Sequence, residues 1–124
     1  QHLLGQFLLR VGAPAQALLA FENAERLDPG HAFGEALLLQ ARALAMLGRD
    51  DEAVQRFERH AATFGGSHRS DFWRGEALSA VGRASDAAEA FRAAAADPGR
   101  RLPAEENWFR ALARVKCWRH GGAQ

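Results

Sequence analysis

The chain has 124 residues, of which 27 are Ala and 15 are Leu, while Ile and Tyr are absent, Thr occurs once and Val four times. Sheets favour β-branched and aromatic residues, so this composition excludes a β-rich domain. Ala and Leu lose little side-chain freedom in a helix and point to an all-α chain. Sixteen Lys and Arg against 15 Asp and Glu leave a formal net charge of +1, too small for a global field that recruits nucleic acid or an anionic membrane.

That charge is unevenly spread. Residues 1–99 carry 10 basic and 13 acidic side chains (net −3), and residues 100–124 carry 6 and 2 (net +4). Arg outnumbers Lys 15 to 1, which reads as a coding bias. Cys117 is the single cysteine, so no intrachain disulfide marks an oxidising compartment. The longest apolar runs are a few residues, against the ~20 needed to span a bilayer, so no membrane insertion is expected. The compartment is left open, with the cytoplasm favoured.

In chain order, helices are expected over 1–11, 14–28, 32–47, 50–63, 69–81, 84–97 and 103–119. Gly12, Gly48 and Gly82 end the first helix of three successive pairs, because glycine enters the left-handed region without penalty. Pro14, Asp50 and Ser85 suit the start of the second helices, and Pro29 and Pro98 stop the first and third of these. The second copy ends in Gly65-Gly66 with no proline, and two extra residues before Gly48 are expected as half a turn more helix after His31. Pro103 with Glu105 and Glu106 opens the seventh helix, placing negative charge at its positive end. Trp108, Ala111, Leu112, Val115 and Trp118 share one face of it at helical spacing, and this face is expected to pack on the preceding pair. No cofactor or metal site is expected.

The three glycines are in phase. Five residues after each comes Ala17, Ala53 or Ala87, and nine after comes Phe21, Phe57 or Phe91, giving A-x-x-x-F three times with periods of 36 and 34. Seven residues before each lies Gly5, Ala41 or Gly75, and four before lies Leu8, Leu44 or Leu78. Two copies run on through Ala24 and Ala94 to Pro29 and Pro98. Small residues on both helices let two backbones approach closely, and the Phe fills the space between neighbouring hairpins.

This pattern resembles the tetratricopeptide repeat family, whose 34-residue helix–turn–helix unit has a Gly, a downstream A-x-x-x-F and a terminal Pro. The likeness covers about residues 1–98. It departs from the family where Gln1, Leu37 and Asp71 replace an early aromatic and where His60 replaces a small residue. The resemblance implies one domain over 1–124: a right-handed superhelical solenoid with repeats of about 1–30, 31–66 and 67–99, closed by a capping helix over 103–119. It further implies a concave groove lined by the first helices. His2, Gln6 and Leu9 come from the first copy, Glu35, Leu38, Arg42 and Ala45 from the second, and Arg69, Phe72, Glu76 and Ser79 from the third. Leu38 and Phe72 would act as apolar anchors, Arg42 and Arg69 as anion partners, and Glu76 as a counter-charge, fitting a carboxylate-bearing peptide. The two-carboxylate clamp of chaperone-adaptor members maps onto His2, Gln6, Leu39, Arg69 and Trp73, where only Arg69 keeps the charge, so that clamp is disfavoured. Leu3, Leu39 and Trp73 instead form a column that reads as inter-helix core.

Catalytic chemistry finds little support. Lys116 is the only lysine and no phosphate-binding glycine loop precedes it; the five histidines never stand as H-x-x-x-H. Cys117 and His120 could hold one edge of a metal site, but no second pair completes it. Ser67, His68 and Asp71 are sequence neighbours, which rarely build a triad, and read as a polar turn. Arg100, Arg101, Arg110, Arg114, Lys116 and Arg119 accompany two Trp, yet the Trp face and the basic face of the helix are expected to be opposite, which disfavours nucleic acid. The expectation is a protein–protein interaction or scaffold module without catalysis, binding a protein or peptide. The alternatives are the non-catalytic repeat region of a larger enzyme such as a transferase, and a homo-oligomer formed through Leu3, Leu4, Phe7 and Leu8 of the uncovered first helix.

Overall fold

The computed structural model describes residues 2–120, with the backbone alone for Phe33, Arg119 and His120. The chain is all-α, with seven helices and no strand among the described residues. They are α1 (His2–Arg10), α2 (Pro14–Leu27), α3 (Glu35–Met46), α4 (Asp50–Phe64), α5 (His68–Ala80), α6 (Ala84–Ala95) and α7 (Ala104–His120), with a 3-10 turn at His31–Phe33. The helices gather in two compact units, 1–65 and 66–124, divided at Gly65-Gly66. In the first, α1 packs on α2, α2 on α3 and α3 on α4; in the second, α5, α6 and α7 pack on one another.

One turn is built three times. Gly12, Gly48 and Gly82 have φ of 76°, 77° and 84°. The amide after each glycine donates back to a leucine carbonyl: Ala13 to Leu8 at 2.8 Å, Arg49 to Leu44 at 2.9 Å and Arg83 to Leu78 at 2.9 Å. The glycine amides donate to Leu9, Ala45 and Ser79 at 3.2, 3.0 and 3.1 Å. Together these bonds satisfy the carbonyls that a helix end leaves open and fold the chain back on itself. No side chain caps the second helices of the three pairs. Arg49 with Glu52 and Arg83 with Asp86 pair across the first turn at 2.7 and 2.9 Å instead.

The small residues seven positions before these glycines explain the close approach. A methyl group on Gly5 would stand 2.5 Å from the Phe21 ring, and one on Gly75 would stand 2.7 Å from the Phe91 ring. The phenylalanine therefore lies over the glycine of its own hairpin, where the sequence alone places it between hairpins. The two extra residues before Gly48 form the 3-10 turn, not added helix. Gly34 closes that turn at φ 76°, and the Phe64 ring fills the place of its missing side chain.

In the first unit the core runs through Ala17, Leu18, Phe21, Leu37, Leu38, Leu39, Ala41, Leu44, Val54 and Phe57. Leu3, expected in the inter-helix column with Leu39, is exposed, whereas Leu39 is buried. In the second unit Phe72 meets Phe91 and Phe109 at ring distances of 5.6 and 5.8 Å, and Trp73 meets Phe109 edge-on at 5.6 Å.

The orientation of α7 corrects the expected packing face. Phe109 and Ala113 point inward, Ala113 fully buried, and the Lys116 ammonium lies 5.8 Å over the Phe91 ring. Glu106 accepts from the Arg69 amide at 3.1 Å and Glu105 pairs with the Arg69 guanidinium at 3.2 Å, which fixes the helix rotation. Trp108, Val115 and Trp118 are consequently turned out, with Trp108 61% and Trp118 78% exposed. Helix α7 carries two apolar stripes half a turn apart, and the one holding the larger side chains is the outer one.

Candidate functional site

The residues expected to line a groove divide by unit. In the first, Gln6 on α1 and Arg42 on α3 are half-buried, but Leu38 is 2% exposed and cannot anchor a ligand. The reason lies in α3, which packs on both α2 and α4, so Ala36–Ala41 is buried all round. In the second unit Phe72 is 6% exposed, its ring held between Phe91 and Phe109. Arg69 is engaged as well: its guanidinium lies 5.0 Å over the Trp73 ring and bonds Glu105. It secures α7 where an anion partner was expected. Glu76 is half-buried on α5.

Polar groups that could carry chemistry have structural duties. Ser67 accepts from the Ser70 amide at 3.0 Å while the Ser70 hydroxyl accepts from the Ser67 amide at 2.8 Å, a reciprocal cap on α5. The His68 Nδ1 meets the Ala94 carbonyl, and Asp71 pairs with Arg74 at 3.1 Å. Burial pushes the Asp71 carboxyl above its ordinary range, against the pull of Arg74. Ser67, His68 and Asp71, with Arg100, Leu102 and Glu106, line a cavity of about 380 Å³. At the other end of the chain the His2 ring stacks edge-on against Phe21 and His31, 5.7 and 6.1 Å away. Burial holds its pKa below the usual value, opposed by Glu35. No group of His, Cys, Asp and Glu suited to a metal ion occurs among the described residues.

The Cys117–His120 pair lies partly outside the described residues, since nothing is placed of the His120 side chain; burial raises the Cys117 thiol, keeping it protonated. Of the basic tail, Arg110 Nε donates to the Ala96 carbonyl at 3.2 Å, Arg100, Arg101 and Arg114 are exposed, and the Arg119 side chain is again outside the described part. No described helix is long and apolar enough to cross a membrane.

One network escapes the sequence. Gln40, 1% exposed, donates to Glu25 Oε1 at 2.8 Å and to the Phe21 carbonyl at 3.3 Å, and accepts from Arg56 at 3.1 Å. Arg59 then holds Glu25 Oε2 at 2.7 Å. A lone Gln within the apolar stretch Ala36–Ala41 is the only trace of it in the sequence. Its bonds tie α2, α3 and α4 together while satisfying buried polar atoms.

Gln6 and Arg42 are half-buried, while the apolar side of α1 and the outer face of α7 are exposed. No model of a known protein family matches the sequence, and no curated protein matches it.

Proposed function

We propose that the chain is a protein–protein interaction module of the tetratricopeptide-repeat kind, stacking helical hairpins as a scaffold with no catalysis of its own. The observation that carries this reading is the hairpin turn repeated at Gly12, Gly48 and Gly82, with the same two hydrogen bonds each time. Repeat arrays use such hairpins to present extended binding surfaces. The engagement of Ser67 in a helix cap, His68 with the Ala94 carbonyl and Asp71 in an ion pair is consistent with it. Arg42 is the partner-facing cation of the first unit in this reading. The test is affinity capture on the immobilised chain, repeated with Arg42→Glu. Loss of the captured protein is expected, and undiminished capture would place binding elsewhere.

A second reading, self-association through α1, is favoured by the exposure of Leu3, Leu4, Phe7 and Val11 along one side of that helix. Leu8, expected among them, is half-buried. Multi-angle light scattering across a concentration series tests it: a mass that stays monomeric at high concentration removes the idea.

A further inference from the structure

The outer face of α7 presents Trp108, Ala111, Val115 and Trp118 at spacings of three, four and three, the period of a helix-pairing seam. Trp108, Ala111, Val115 and Trp118 are all exposed, while the opposite side of the helix is closed by Phe109 and Ala113. The two indoles flank Ala111 and Val115, so a single helix can lie over the smaller pair with its side chains between the rings. Arg114 lies beside the seam, and Arg100 and Arg101 are exposed just before the helix, in the stretch of net charge +4.

Area and charge select the occupant. The exposed parts of two Trp, each able to bury 150–250 Å², with Val115 and Ala111, offer roughly 400 Å². That is about half of what each side of a stable protein interface buries, and it suits one docked helix. A second α7 laid antiparallel would bring Arg114 of one copy near that of the other, a like-charge contact. The chain's other exposed apolar helix, α1, has no carboxylate to meet these arginines.

We propose that this face of α7 docks an amphipathic helix of a partner protein whose apolar stripe is flanked by Glu or Asp. The residues of this face belong to the second unit, whereas Arg42 belongs to the first. Carboxylates of the bound helix pair with Arg114 and the exposed arginines before α7, and its small or branched apolar residues seat between the two indoles.

The test uses the whole chain and two fluorescein-labelled, helix-forming 18-residue peptides with the same Leu/Ala stripe, one flanked by Glu and one by Lys. The Glu peptide is expected to bind by anisotropy and to shift the tryptophan emission to shorter wavelength. Trp108→Ala with Trp118→Ala is expected to weaken it about thirtyfold, as loss of interface aromatics does. Arg114→Glu is expected to weaken it about tenfold, and exposed Leu19→Ala on α2 to leave it unchanged. Equal binding of the Lys peptide, or no binding of the Glu peptide at millimolar concentration, overturns the proposal. So does tighter binding of a single-stranded oligonucleotide than of the Glu peptide, or a dimer in sedimentation that Trp118→Ala dissolves.

Discussion

Substituting Gly75 by Ala tests the close approach between the helices of the third hairpin. The added methyl would stand 2.7 and 2.8 Å from Phe91 Cε1 and Cδ1, and the ring that must yield is almost fully buried. Overpacking of this kind costs about 1–3 kcal/mol, while Ala recovers about 1 kcal/mol of helix propensity over Gly, leaving a net loss of about 1 kcal/mol. For a unit of this size that lowers the melting temperature by roughly 4–8 °C. All three tryptophans, Trp73, Trp108 and Trp118, lie in residues 66–124, so urea unfolding followed by their emission reports on the unit that holds the substitution. Phe91→Leu made in the Gly75→Ala background removes the offending ring edge. The two changes should then couple favourably by about 1 kcal/mol in a double-mutant cycle. If Gly75→Ala instead stabilises the unit by its full helix propensity, with no coupling to Phe91, the packing argument is wrong.

Phe109→Ala should destabilise the second unit by about 2–3 kcal/mol by emptying the space between Phe72 and Trp73, whereas Trp108→Ala on the same helix should stay within about 0.5 kcal/mol; both are read by chemical denaturation. Gln40→Leu should cost about 1–3 kcal/mol, because Glu25 and Arg56 each lose a partner in a part-buried place, a loss measured by circular dichroism during urea unfolding. Asp71 titrates above its ordinary 3.8 in the folded chain, so the native state favours its neutral form. Its stabilising contribution is therefore complete below pH 3.8 and falls as pH rises through the raised value. Stability relative to Asp71→Asn should decline over that interval, as followed by denaturation at a series of pH values.

Much of the helical layout is legible in the sequence because local chemistry decides it. Glycine at the left-handed turn positions, proline beyond the second helices and Glu105 with Glu106 at the start of α7 act within a few residues of themselves. Side-chain exposure is less legible, because it depends on how many neighbours a helix has. Leu38 and Phe72 occupy positions that the family resemblance assigns to a groove surface, yet α3 has a helix on two sides and Phe72 meets the incoming Phe109. The rotation of α7 is a similar case. Its two apolar stripes are equally periodic, and the choice between them was made by Glu105 and Glu106 finding Arg69 and by Phe109 fitting beside Trp73. Residue size favours the Trp stripe; shape and charge on the partner helix favour the other.

One hairpin built three times is the central feature of the chain. Scalar couplings measured across hydrogen bonds in the isotope-labelled chain test it at the turns themselves. Couplings are expected from the Ala13, Arg49 and Arg83 amides to the Leu8, Leu44 and Leu78 carbonyls, with positive φ at Gly12, Gly48 and Gly82. Absence of the coupling at any one of the three turns, with that glycine at negative φ, would contradict it.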